Sequence, residues 1–221
     1  LREVEVSRSE HLHTGRLAMA LTALAINCTL KASPAESSCS LLLSQAQHEL
    51  EKLGVSCEQI RAVDFNIKPG VTSDEGEGDD WPMIREKVLA ADILILGTPI
   101  WLGHPASVCQ RVLERLDAFI GEVDDEQRMV SYGRVACVAV VGNEDGAHHV
   151  VASLYQGLND VGFTIPANGC TYWVGPAMGS TDYKDVEDPG EEIGKTNAML
   201  ARNAVHLAKL LKQAGYPGAS Q

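Results

Sequence analysis

Ala91-Asp92-Ile93-Leu94-Ile95-Leu96-Gly97-Thr98-Pro99-Ile100-Trp101-Leu102-Gly103-His104-Pro105 is the stretch whose reading decides the fold. Ile93, Leu94, Ile95 and Leu96 form an apolar run with no polar alternation. Such a run suits a central strand of a parallel sheet covered by helices on both faces. Gly97, Pro99, Gly103 and Pro105 then interrupt the chain. Helical spacing resumes over residues 106–120, where Val108, Val112, Leu116 and Phe119 share one face. A strand followed by a loop and a helix is thus expected, with Trp101 at the apex of the loop. In open α/β sheets a ligand sits beyond the carboxyl end of such a strand.

Working outward, the same alternation recurs. Residues 1–16 read as a terminal arm. A first strand is expected at 22–27, followed by the hydroxyl-rich loop 28–38 and a helix. The helix places Leu41, Leu42, Leu43, Ala46, Leu50 and Leu53 on its apolar stripe, with Gly54 as its stop. Residues 57–65 read as the second strand and 66–80 as an exposed acidic excursion. A helix at 81–90 leads into the organising strand. The fourth strand is expected at 134–141, ending in Gly142-Asn143-Glu144-Asp145-Gly146, with a helix at 150–161. The fifth is expected at 163–167, with a continuation through 172–174. After a polar loop, 178–190, residues 191–216 are the C-terminal helical segment, its helix stopped by Gly215 and Pro217. Strands alternating with helices imply one doubly wound α/β domain over 1–221, a five-stranded parallel sheet of order 2-1-3-4-5.

Bulk properties narrow the function. Of the 221 residues, 30 are acidic and 18 basic, a formal net charge of −12. Nucleic acid is therefore not expected as a partner, because phosphate-backbone binding needs a basic face. No apolar run approaches the ~20 residues of a membrane span, and the first residues do not have the pattern of a secretory signal. The six cysteines include no Cys-x-x-Cys pair and no metal-type spacing with histidine. Free thiols and no structural metal suggest a reducing, cytoplasmic setting.

The order 2-1-3-4-5 has its switch point between the first and third strands, which brings three loops to one edge. The first offers Thr29, Lys31, Ser33, Ser37 and Ser38 together with the amides of a helix start, a set suited to an anion. Ser37 or Ser38 alone would read as a helix cap. The second offers the backbone of Thr98, Pro99, Ile100, Leu102 and Gly103, with Trp101 to meet a flat ring. The third is Gly142, Asn143, Glu144, Asp145 and Gly146, where Asn143 or Asp145 alone would again be an N-cap. A phosphate at the first loop and a heteroaromatic ring between the other two describe a mononucleotide.

With these loops assembled, the chain resembles the flavodoxin-like NADPH-dependent FMN reductases, including the quinone-reductase-like NAD(P)H oxidoreductases. The resemblance covers residues 21–174. Its most specific part is Gly97-Thr98-Pro99-Ile100-Trp101, matching Gly-Ser/Thr-Pro-x-Tyr/Trp. Cys28-Thr29-Leu30-Lys31 with Ser33 and Ser37-Ser38 stands where the family has Gly-Ser-x-Arg-x-x-Ser, so a lysine replaces the bidentate arginine. The resemblance implies FMN as cofactor, NADH or NADPH as electron donor, a small-molecule acceptor such as a quinone or flavin, and a homo-oligomer (dimer or tetramer). The cofactor would carry the chemistry and the protein its position, so no catalytic side chain is required. His104, His148 and His149 are the histidines nearest the ring-facing loops, and Tyr172 and Trp173 are candidates to cover the ring. Loops 66–80 and 178–190 have spare reach for a subunit boundary. Two other readings stay open: an electron-transfer flavoprotein without its own NAD(P)H activity, and a flavodoxin-like binding protein without cofactor. A phosphoacceptor receiver would need acids after the first and third strands, and a serine hydrolase a Gly-x-Ser-x-Gly elbow. Neither pattern occurs.

Overall fold

The computed structural model describes residues 20–176 and 179–219; the expected terminal arm lies outside them. Among the described residues, six strands and five α-helices follow in chain order: β1 (Thr22–Asn27), α1 (Ser38–Glu51), β2 (Ser56–Arg61), α2 (Trp81–Ala90), β3 (Ile93–Trp101), β4 (His104–Pro105), α3 (Ser107–Leu116), β5 (Val135–Gly142), α4 (Ala147–Asp160), β6 (Cys170–Val174) and α5 (Glu191–Gln213). The long strands lie in the order β2-β1-β3-β5-β6, all parallel, and β4 folds back on β3. Leaving the two-residue β4 aside, this is the expected 2-1-3-4-5 arrangement, a flavodoxin-like fold.

Two apolar cores flank the sheet because successive side chains of a strand point to opposite faces. Leu24, Ile26, Leu94, Leu96, Ala136 and Val138 pack on one face with α2, α3 and α4. Ala23, Ala25, Ile93, Ile95, Val135 and Cys137 pack on the other with α1 and α5. Helix α1 starts where the Ser37 hydroxyl accepts from the Ser40 amide at 3.2 Å, satisfying one of the donors a helix start leaves open.

Several expectations change. Leu41 and Leu53 are exposed rather than on the buried stripe of α1, since α1 ends at Glu51 and its buried face is Cys39, Leu42, Leu43, Ala46, Gln47 and Leu50. Strand β2 stops at Arg61, opposite the last residue of β1, and residues 62–64 turn into a 3-10 helix. At the expected fifth strand only Thr164 makes a bridge, to Val135. Pro166 has no N–H to continue a ladder, Asn168 takes φ 54°, and the Gly169 amide closes a turn on the Pro166 carbonyl. Pairing resumes at Cys170. The acidic excursion is not free of the core. The side chains of Asp79 and Arg115 are both fully buried and ion-paired at 2.8 Å, and the guanidinium also donates to the carbonyls of Lys68 and Thr72. Burial pushes the Asp79 carboxyl up, but Arg115 and the amides of Glu75, Trp81 and Lys68 outweigh it and hold it well below the usual carboxylate range.

The strand-three loop also differs. β3 runs on to Trp101 and becomes the first arm of a hairpin with β4, pairing Trp101 with His104. Leu102 (φ 53°) and Gly103 (φ 76°) are its two turn residues. Positive φ at both positions is what a two-residue hairpin turn of the right twist requires.

Candidate functional site

β1 ends at Asn27, opposite Gly97, so β3 projects beyond it from Thr98 onward. That step in the sheet edge, at the switch point, is one wall of a cleft. Residues 28–38 and the start of α1 form the opposite wall, and Val141, Gly142 and Asn143 at the end of β5 form the floor. A strap after β6, carrying Asp182, Tyr183 and Lys184, closes the remaining side.

The first loop is shaped from outside. Arg61, at the end of β2, donates through Nη1 to the carbonyls of Lys31 at 3.0 Å and Ala35 at 2.8 Å. The Asn27 side-chain oxygen accepts from the Thr29 amide at 3.0 Å. Thr29, Lys31, Ser37 and Ser38 consequently face one end of the cleft beside the first amides of α1, whose first turn has no acidic residue. Amide donors, a helix dipole, hydroxyls and an ammonium make that end complementary to an anion. Pro99, Ile100 and Trp101 supply an apolar flank to the cleft. Trp101 is 54 % exposed, an unusual state for a Trp with no packing duty.

The hairpin tip is clamped by the third loop. Glu144 accepts from the Leu102 amide at 2.8 Å. Gly146, with φ 122°, sits so close that a Cβ there would stand 2.8 Å from the Gly103 Cα. At the hairpin base the buried Thr98 hydroxyl donates to the Pro99 carbonyl and accepts from the Ala106 amide at 3.0 Å. Thr98, Leu102, Gly103, Glu144, Asp145 and Gly146 therefore lie outside the lining of the cleft, and at least five of them hold its wall. Ser33 turns elsewhere too: its amide and hydroxyl donate to Asp64 at 2.8 and 2.6 Å. Of the expected site residues, the cleft brings together Thr29, Lys31, Ser37, Ser38, Pro99, Ile100, Trp101, Gly142 and Asn143.

His104, His148, His149 and Tyr172 pair among themselves outside the cleft lining, and Trp173 lies behind it against the strap. His148 Nε2 is 3.0 Å from the Tyr172 hydroxyl, and His104 stacks edge-on with His149 at 5.2 Å between ring centroids. Trp173 packs on Tyr183 at 5.2 Å.

Sequence reasoning missed the strap, which it treated as spare reach. Tyr183 is buried, donates to Gln45 on α1 at 2.6 Å, and so fixes the strap against the helix. Asp182 accepts from the Asn143 side chain at 3.3 Å, and the Lys184 amide donates to the Ser38 hydroxyl at 3.3 Å. An aromatic residue alone in a polar segment was the available signal. Cys39 also reaches the cleft, but burial pushes its thiol, and that of Cys28, well up, which keeps both protonated and poor nucleophiles.

Comparison with known proteins follows the same lines. The family described as NADPH-dependent FMN reductase matches residues 21–177. An 8-demethyl-8-aminoriboflavin-5'-phosphate synthase from Streptomyces davaonensis is 35 % identical over 210 residues, covering 90 % of this chain and 81 % of that one. A protein from Mycobacterium bovis named divalent metal cation transporter MntH is 36 % identical over 199 residues, but the chain spans only 29 % of its length. Among the described residues no helix is long and apolar enough to cross a membrane. The crystal structure of RosB with the bound intermediate 8-demethyl-8-formylriboflavin-5'-phosphate superposes with a TM-score of 0.82 at 33 % identity, over 89 % of this chain and 82 % of that one. The chain belongs to the NADPH-dependent FMN reductase family.

Proposed function

We propose that this cleft binds FMN and that the protein is an NAD(P)H-dependent flavin oxidoreductase serving a small-molecule acceptor. One observation carries the reading: an anion end (Thr29, Lys31, Ser37 and the α1 amides) and an apolar flank (Pro99, Ile100, Trp101) occur in one cleft at the switch point. The donor set suits a phosphate monoester, and the apolar flank suits the face or edge of a flat ring. Bound FMN would supply the two-electron chemistry that these side chains lack. Lys31 and the helix start would hold the phosphate, and the backbone of 99–101 would meet the polar edge of the ring. Trp101 would shield the ring from water on one side. A homo-oligomer, dimer or tetramer, belongs to the same reading and is checked by light scattering.

A second reading is favoured by the relative whose name makes it a synthase of a modified riboflavin phosphate. In that case flavin phosphate is the substrate and not a resident cofactor. Two incubations separate them: the FMN-loaded protein with NAD(P)H and a quinone, and FMN with the protein, an amino-group donor and dioxygen as oxidant. Oxidation of the nucleotide with FMN recovered at unchanged mass supports the oxidoreductase. FMN recovered at altered mass, without quinone-dependent nucleotide oxidation, supports the synthase.

A further inference from the structure

The strap brings a second cation to the cleft, from an element other than the loop that carries Lys31. Lys184 lines the cleft together with Lys31, Ser37 and Ser38. Its main-chain amide is tied to the Ser38 hydroxyl at the first turn of α1, so its backbone is anchored at the anion end. The neighbouring Tyr183 is buried and bonded to Gln45, which fixes the strap independently of the lysine side chain.

The ammonium is only partly used. Lys184 Nζ donates to both Asp185 carboxylate oxygens, at 2.7 and 2.9 Å. An ammonium has three N–H donors. Glu36 of the first loop lies 3.8 Å from Nζ, which is an ion-pair distance but too long for a hydrogen bond. Glu36 is 85 % exposed on its side chain, and a pair of that kind contributes little and is displaced at small cost. The arrangement is a carboxylate standing loosely at the mouth of an anion site, opposite a cation with a donor to spare.

Resting on the proposed FMN reading, we infer that Lys184 is a second phosphate-binding cation, and that Glu36 is a stand-in anion displaced when a phosphate monoester enters. The site would then read the phosphate from two elements 146 residues apart in sequence. Ligands with the 5'-phosphate would be selected over the same ring without it, and binding would draw the strap onto the first loop.

The test compares FMN and riboflavin titrations of the parent, Lys31→Ala, Lys184→Gln, Lys184→Arg and Glu36→Gln proteins. Loss of one charge-assisted contact predicts about tenfold weaker FMN binding by Lys184→Gln, with riboflavin changed by less than about twofold. Lys184→Arg should restore most of the discrimination. Glu36→Gln should tighten FMN by about two- to fivefold, since an internal competitor for the ammonium is removed. The main-chain bond to Ser38 survives every substitution, so equal losses for FMN and riboflavin in Lys184→Gln would overturn the inference. So would unchanged FMN affinity in Lys184→Gln beside a clear loss in Lys31→Ala, which leaves the FMN reading intact. A parent protein that binds FMN no better than riboflavin overturns the phosphate site and Lys184's role with it.

Discussion

Gly97 is where fold and site meet. It is the last residue of β3 paired with β1, and its Cα lies under Leu43 of α1, the helix whose start forms the anion end of the cleft. A Cβ at Gly97 would stand 2.6, 2.8 and 2.9 Å from Leu43 Cδ1, Cγ and Cδ2. Ordinary carbon contacts are about 3.5–4.0 Å, so Gly97→Ala needs a displacement of the better part of an ångström in a closely packed layer. Rotation about Cβ–Cγ leaves Leu43 Cγ in place, and a change of χ1 would drive this fully buried side chain into its packed neighbours, so α1 has to lift. Overpacking of this kind costs about 1–3 kcal/mol, equivalent to a Tm lower by about 2–12 °C for a chain of this size. Lifting α1 also moves Ser37 and Ser38, so FMN affinity should fall along with stability. The assay is a double-mutant cycle. Leu43→Ala alone costs about 2–5 kcal/mol through its cavity, but in that background Gly97→Ala should be nearly neutral, leaving a coupling of about 1–3 kcal/mol. Additive losses in the double variant would refute the close approach as the reason for glycine here.

Three other predictions follow from the same contacts. Arg115→Met should cost about 3–5 kcal/mol, because it leaves the buried Asp79 carboxylate without its cation, and limited proteolysis should then cut within 66–80; an unchanged melt would contradict this. Asp79 has its carboxyl held below its ordinary 3.8 in the fold, so its stabilisation is complete above that value and lost as pH falls beneath it. Melts from pH 7 down to 2.5 should therefore steepen below about pH 4 in the parent but not in Asp79→Asn, and parallel curves would refute the assignment. Trp101→Ala should leave the apoprotein within about 0.5 kcal/mol, as befits an exposed side chain, yet weaken FMN or alter its spectrum, with Trp101→Phe in between; a large drop in apoprotein stability would make Trp101 a packing residue.

Much of the fold was legible because its signals are local. The uninterrupted apolar run of β3, and apolar runs giving way to helical spacing after the loops, placed four of the long strands and their helices, and met the fifth only through its continuation at 172–174. Thr22–Asn27 and Trp81–Ala90 emerged with the expected bounds. The hairpin after β3 was not legible, since its turn is Leu102-Gly103 and not the Asn-Gly or Asp-Gly that announces such turns. A leucine at φ 53° is held there by Glu144, 42 residues away. The strap was missed for the same reason: nothing near Tyr183 in sequence shows that its hydroxyl meets Gln45, 138 residues earlier. Arg61 bracing the first loop, and Arg115 pinning the acidic excursion, are likewise long-range contacts made by residues that locally look solvated. Site residues on strand ends were readable, whereas those supplied by loops folding back were not.

The function proposed for this protein turns on FMN in this cleft. The most direct measurement is a visible-spectrum titration of the apoprotein with FMN, FAD and riboflavin, followed by denaturation and identification of the flavin released. The structure leads us to expect one FMN per chain with a perturbed spectrum, weaker riboflavin binding and no FAD in the released fraction, and Lys31→Ala should cost FMN about 1.5–3 kcal/mol while sparing riboflavin. Release of FAD, or no flavin bound after reconstitution, would contradict it.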